Sequence, residues 1–255
     1  MRNARLAIVG LLATVPLGAR SLTAQSIAAG VNAVRDGIVL LTFAARPGVC
    51  GDGTGNVWTR NARSSFASDE RQRTCVAGPV RVALGRTDGQ TISVRKWVGG
   101  RWTASSSETN LGDVSPADAA RYLIELARTV AGTSAGDAIS AAAFADQVNL
   151  SPEFSRLVRD SNAPLESRKQ ALYWLGDGDV QTAELAALYA DLKPFELREH
   201  FTFVISQRHD DLAIEKLIDV AKHDRDLEIR KRAMFWLGQS GDPRALKFLQ
   251  DILTR

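Results

Sequence analysis

Three features predict a mixed fold, with a small disulfide-stapled β-containing module ahead of an α-solenoid of helical hairpins. Apolar residues alternate with a period of two over 80–97, and from residue 115 onward they recur at helical spacing. A nine-residue word, Arg168-Lys169-Gln170-Ala171-Leu172-Tyr173-Trp174-Leu175-Gly176, returns 62 residues later as Arg230-Lys231-Arg232-Ala233-Met234-Phe235-Trp236-Leu237-Gly238. The chain contains two cysteines, Cys50 and Cys75, both inside the strand-rich part.

Residues 1–24 read as a secretory signal. Arg2 and Arg5 form a basic head, residues 6–17 are uncharged and apolar, and Ser21-Leu22-Thr23-Ala24 places small residues before a cut expected after Ala24. Twelve apolar residues span about 18 Å as helix, short of the roughly 30 Å of a membrane core. The mature chain is therefore expected in the periplasm or outside the cell, without a transmembrane segment. Export also alters the charge balance. Of 32 Lys and Arg against 29 Asp and Glu, three cations (Arg2, Arg5, Arg20) precede the cut, which leaves 29 against 29. A neutral chain without a cationic block argues against a nucleic-acid partner. In an oxidising compartment the two cysteines are expected to pair, closing a loop of about 25 residues worth about 3 kcal/mol.

Residues 25–114 are expected to form the β-rich and irregular module. Residues 37–45 are β-prone, and a helix near 27–36 is left open. Thr87-Asp88-Gly89 places a tight turn between two alternating runs, so 79–98 reads as a β-hairpin with Ile92, Val94 and Trp97 as candidate core residues. Residues 48–56 and 64–69 are rich in Gly, Ser and Asp and are expected to be irregular. Connecting helices follow over 115–163. Ser115 caps a helix that opens at Pro116, with Asp118 in its first turn. Gly132-Thr133-Ser134 is expected to break the helical pattern, so the next helices span 138–146 and 151–159, the latter capped by Ser151.

Residues 164–255 carry three hairpins with a period of 31. A degraded middle copy at 199–207 aligns Leu172 with Phe203 and Met234, and Trp174 with Ile205 and Trp236. The second helices align Ala183 with Ile214 and Ala245, Ala186 with Leu217 and Phe248, and Ala187 with Ile218 and Leu249. Hairpins this small bury their apolar faces only by stacking. Gly176 and Gly238 are expected to take left-handed positions that reverse the chain, and the middle copy, with Gln207 there, is expected to turn less tightly. This pattern, fullest at 230–245, resembles HEAT-like repeats, and the layout as a whole is similar to exported bacterial HEAT-repeat proteins. The resemblance implies an α-solenoid. Some relatives are bilin lyases and many are scaffolds, but no family catalytic motif stands in this chain.

No chemical constellation appears. His200, His209 and His223 form no cluster, and no nucleophile elbow or phosphate loop is present. No cofactor or metal is implied; Asp52 in Gly51-Asp52-Gly53 is the one weak cation candidate, without the alternating acid series of a calcium loop. The leading expectation is non-catalytic binding of another protein, with Tyr173, Trp174, Phe235, Trp236, Arg168 and Arg230 as the surface. At about 100° per residue, the two rings of each aromatic pair cannot both point inward. The basic residues at the first-helix starts suggest a ridge, which Glu166, Glu199 and Glu228 interrupt. Two rivals stand beside this reading: a hydrolase or lyase with its site around Asp52, Asp69 and Glu70, and a purely structural adaptor.

Overall fold

A computed structural model describes residues 23–59, 75–100 and 107–254. The expected signal segment and residues 64–69 fall almost wholly outside that range. Helix α1 (Ala24–Asn32) opens on Thr23, whose hydroxyl accepts from Ser26 N, and it buries Ile27 and Val31. Strand β1 (Gly37–Phe43) follows, then β2 (Val49–Gly51), β3 (Val57–Thr59), β4 (Val76–Ala77), β5 (Val80–Thr87), β6 (Gln90–Val98) and β7 (Thr109–Asp113). They form a four-stranded sheet in the order β6-β5-β1-β7 and a small sheet in the order β3-β2-β4.

The predicted hairpin is present. β5 and β6 pair antiparallel, and Asp88 and Gly89 both take positive φ at its tip (50° and 75°), the conformation of a type I′ turn. Arg86 is buried behind this turn and donates to Val34 O at 3.2 Å and to Thr91 Oγ1 at 2.9 Å. Ile92 is not a core residue. A bulge shifts the register between Gly85 and Arg86, and it leaves Ile92 62 % exposed while Val94 stays buried. Nor is the glycine-rich stretch wholly irregular, since Val49–Gly51 forms the buried centre of the small sheet. The Cys50–Cys75 disulfide, with Cα atoms 5.2 Å apart, ties that strand to the chain leading into β4.

Three helices join the module to the repeats: α2 (Pro116–Leu126), α3 (Gly132–Ala143) and α4 (Ser151–Arg159). Ser115 caps α2 as expected, its hydroxyl accepting from Asp118 N. Gly132 does not break a helix but begins one, with φ +60° at its first residue. Ser151 is the first residue of α4 rather than its cap; Asn149 Oδ1 accepts from its backbone N–H at 3.1 Å. Helix α3 docks on the module through Val94 N, which donates to Ser134 Oγ at 3.3 Å, and through a Lys96–Asp137 ion pair.

The hairpins follow as α5 (Leu165–Asp177) with α6 (Thr182–Ala187), α7 (Phe195–Ser206) with α8 (Asp211–His223), and α9 (Leu227–Gln239) with α10 (Pro243–Leu253). A short 3₁₀ turn, Leu188–Asp191, extends α6. The first helices pack in series, α5 on α7 and α7 on α9. The buried apolar side chains run as a single cluster from Ile27 in the module to Ala245 in the last hairpin.

Aligned on their first residues, α5, α7 and α9 are offset by 30 and 32 residues, not by 31 twice. Arg168, Arg198 and Arg230 are therefore equivalent, and so are the fully buried Ala171, Phe201 and Ala233 and the buried Leu175, Ile205 and Leu237. Trp174 and Trp236 correspond to Val204, with Ile205 one place inward, so the middle copy read from the sequence is out by one. The second helices slip as well: Ala183 and Ala187 are exposed, while Thr182, Leu185 and Leu188 face the core. The loop at 207–210 is as short as that at 178–181. Gly176 and Gly238 lie inside their helices and do not reverse the chain. A Cβ on Gly176 would sit 2.3 Å from Val204 Cγ1, so that glycine lets α7 approach, whereas Gly238 has only Leu249 Cδ1 nearby, at 3.9 Å.

Buried arginines close the gaps between units. Arg168 Nε donates to Val158 O at 2.9 Å, Arg198 Nη1 to Lys193 O at 2.7 Å and Arg230 Nη1 to Asp224 O at 2.7 Å. Arg208 Nη2 reaches back to Leu175 O and Gly178 O, both at 3.0 Å, and satisfies carbonyls at the end of α5. Arg198 also holds Asp224, its Nε 3.2 Å from Oδ2 as a charge contact off the line of a hydrogen bond, with both side chains at least 94 % buried. The Tyr189 hydroxyl donates to the same oxygen, and burial followed by the Asp224 charge pushes its acidity down and its pKa up. Three hairpins thus meet at one carboxylate. Arg198→Ala strands Asp224 without its cation, and denaturant unfolding is expected to show a loss of about 3 kcal/mol; a change below about 1 kcal/mol would mean that Asp224 does not depend on this cation.

Candidate functional site

The repeats position two tryptophans at the same place on their first helices, and each lines a groove. Trp174 stands where the module, α3, α4 and α5 meet. Its ring packs edge-on against Phe144 at 5.3 Å and against Tyr173 at 5.2 Å, and its Nε1 donates to Ser140 Oγ at 3.4 Å. Arg46 lies over its other side, Cζ 5.8 Å from the ring centre, and its Nη2 is 3.3 Å from Asp177 Oδ2. Arg46 is held there by its own backbone, because its N–H donates to Phe144 O at 2.8 Å and Ala45 bridges to Ala145. The cleft beside this cluster has a volume of about 640 Å³, with Gln147, Asn149, Asp179 and Glu184 on its walls. Its lining mixes polar and apolar groups.

Trp236 repeats the arrangement two units on. Phe203 of α7 meets its ring at 5.4 Å and Phe235 at 5.0 Å, and the groove of about 320 Å³ beside it is lined by Lys169, Glu199, His200, Thr202 and Arg232. Arg232 Nε pairs with Glu199 Oε1 at 3.0 Å across this groove. His200 is mostly buried here, 5.9 Å from the Phe203 ring. Burial, followed by the nearby Lys169 charge, lowers its pKa from 6.5 to about 4, so the ring stays neutral.

The other sequence-predicted residues are placed as follows. Tyr173 is partly buried beside Trp174, and burial raises its pKa. Phe235 is the exposed ring of the last pair and points to the end of the stack. Arg168 and Arg230 do not form a basic ridge. Both guanidinium groups turn toward the loops ahead of their helices, and burial lowers the Arg168 pKa. Lys169 and Lys231 pair with Glu166 and Glu228 on their own helices. Asp52 is exposed, and its oxygens accept from Thr54 N and Asn56 Nδ2, each at 2.7 Å; these bonds bring its pKa down to about 2. Asp69 and Glu70 lie outside the described residues, so the enzyme rival retains only Asp52 there. His209 is exposed and His223 bonds Asp219 at 2.9 Å. Among the described residues no three His, Cys, Asp or Glu side chains converge as a metal site, and no helix is long and apolar enough to cross a membrane.

Arg46 was not singled out in the sequence. It lies 131 residues from Asp177, and nothing around it in the chain signals that contact. Fold and grooves together define a helical-hairpin solenoid joined to a disulfide-tied β-module, with aromatic grooves along its first helices. In keeping with that class, residues 229–255 match the family described as PBS lyase HEAT-like repeat. No curated protein and no solved structure matches the chain.

The neutral His200 sets a pH signature. Its folded pKa lies below the unfolded value, so its contribution to stability is complete above pH 6.5 and is lost as the pH falls from 6.5 toward 4. Proton NMR of the ring is expected to show no titration above about pH 5. A midpoint near 6.5 would mean that the ring is solvated and the groove open to water.

Proposed function

We propose that this protein is a non-catalytic interaction scaffold, exported from the cytoplasm, which holds a partner protein along the first-helix face of its repeats. The observation that carries the reading is the pairing of two repeat-equivalent tryptophans with two grooves. A ring that served packing alone would be buried in both units, yet Trp174 and Trp236 are each only partly buried and each form a groove wall. Partly exposed tryptophans flanked by a cation and by hydrogen-bonding side chains are favoured anchors for a partner chain. Arg46 and Asn149 beside one ring, and Arg232 and Glu199 beside the other, supply polar contacts at the rim.

The export part of the proposal is supported by the basic, apolar and small-residue order of residues 1–24 and by a disulfide whose formation suits an oxidising compartment. The HEAT-like match over the last hairpin fits a scaffold and brings no reaction with it.

Co-purification from the envelope fraction of the producing cell tests the reading. The Trp174→Ala/Trp236→Ala variant is expected to lose the captured protein by at least about tenfold while circular dichroism still shows its helices. Undiminished capture by the folded double variant would rule out the grooves and leave the purely structural adaptor as the better account.

A further inference from the structure

The last hairpin exposes apolar residues at positions that the earlier hairpins keep covered. At the fourth residue of the second helix, Leu185 and Ile214 are 0 % and 7 % exposed, but Leu246 is 50 %. At the tenth residue, Val220 is 1 % exposed in α8 and Ile252 is 42 % in α10. On the first helices, Tyr173 and Phe203 are partly buried by the unit that follows, and Phe235 is 52 % exposed. A solenoid end that faces water normally carries polar residues at these seam positions. Here Phe235, Leu246 and Ile252 keep the apolar character of a seam.

We infer that this end face is a self-association surface, and that a second copy of the chain covers it in a two-fold, end-to-end dimer. The inference rests on the interaction reading above and names a partner for a different surface of the same stack. Two observations favour a second copy. The opposite end of the stack is already occupied, because α3 and α4 pack against α5. A head-to-tail contact between copies therefore has no free seam to enter, and the open face can meet only its own equivalent. The charges around the face also suit a two-fold axis. Glu228 and Lys231 border the first helix, and Lys247 and Asp251 border the second, so rotation can set each sign opposite the other.

The continuity of the seam indicates what the contact looks like. Within the chain, Phe203 of α7 packs on Trp236 of α9, and Gly176 admits Val204 of α7. Phe235 and Gly238 are the equivalents of Phe203 and Gly176 one unit later. They present the same ring and the same small gap to an incoming helix. Met234, partly buried between them, can adjust to that helix because its side chain is unbranched.

Sedimentation velocity of the mature chain across the micromolar range tests this directly. The wild type is expected at twice its sequence mass, and Phe235→Glu/Leu246→Glu is expected to weaken the dimer by about 100-fold or more. Both replaced side chains are exposed, so circular dichroism and the unfolding midpoint at low micromolar concentration should stay close to those of wild-type monomer. Ile252→Glu gives a second, independent disruption of the same face. A wild type that stays monomeric throughout overturns the inference, and so does a dimer that both sets of substitutions leave intact. Neither result touches the tryptophan grooves, whose part in partner capture is read separately with the Trp174→Ala/Trp236→Ala variant.

Discussion

Two helices joined by a short loop have apolar side chains on more than one face and can cover only one of those faces against each other. The other must be covered by a neighbour, and this requirement organises the whole molecule. The connecting helices α3 and α4 exist in the fold as the cover for α5, and α5 in turn covers α7. The close approach is set by small features, above all the absence of a side chain at Gly176, against which Val204 packs. The β-module joins the same core through α3, so the strands and the solenoid share one apolar interior.

Stacking leaves polar backbone groups at every junction, and the chain satisfies them with arginines. A guanidinium has five donors in a fixed fork, which lets one side chain serve carbonyls and a carboxylate at once. Arg208 closes the end of α5 from the next unit. Arg198 holds a loop carbonyl and Asp224 together. Residues that in the sequence resemble a basic surface are thus largely the internal fasteners of the stack. The surface chemistry is left to the tryptophans and to the charged rims of their grooves.

Much of this was legible in the sequence, for identifiable reasons. The word at 168–176 and its return at 230–238 signal equivalent helices, because both copies keep the residues that meet the same neighbours. The hairpin at 79–98 is legible because Asp-Gly suits the positive φ of its turn. The middle repeat was read one residue out of place because α7 begins a residue early and α9 a residue late relative to an even period. The 3₁₀ turn after α6 shifts the second-helix phase in the same way. Ile92 was misplaced by a bulge, which no alternation pattern reveals. The glycines of the repeats were read as chain reversals, although Gly176 is a packing residue whose reason lies in another helix. The Trp174 groove depends on Arg46, brought from the module by a backbone bridge between Ala45 and Ala145, and such long-range pairing leaves no local trace. The partner surface was half legible: the aromatic pairs were found, but which ring faces a groove and which faces the stack end follows only from the packing.

The central claim is that each hairpin depends on the next one, and one pair of substitutions tests it most directly. Gly176 and Gly238 are equivalent, but only Gly176 has a following helix against it. Replacing a helical glycine with alanine gains about 1 kcal/mol from backbone preference, while forcing a methyl group into a filled seam costs about 1–3 kcal/mol. Denaturant unfolding at concentrations where the chain is monomeric should therefore show Gly238→Ala stabilised and Gly176→Ala destabilised, with Val204→Ala restoring much of the loss in the latter. Equal stabilisation by both alanines would contradict the account, because it would mean that α7 does not press on α5 at that seam.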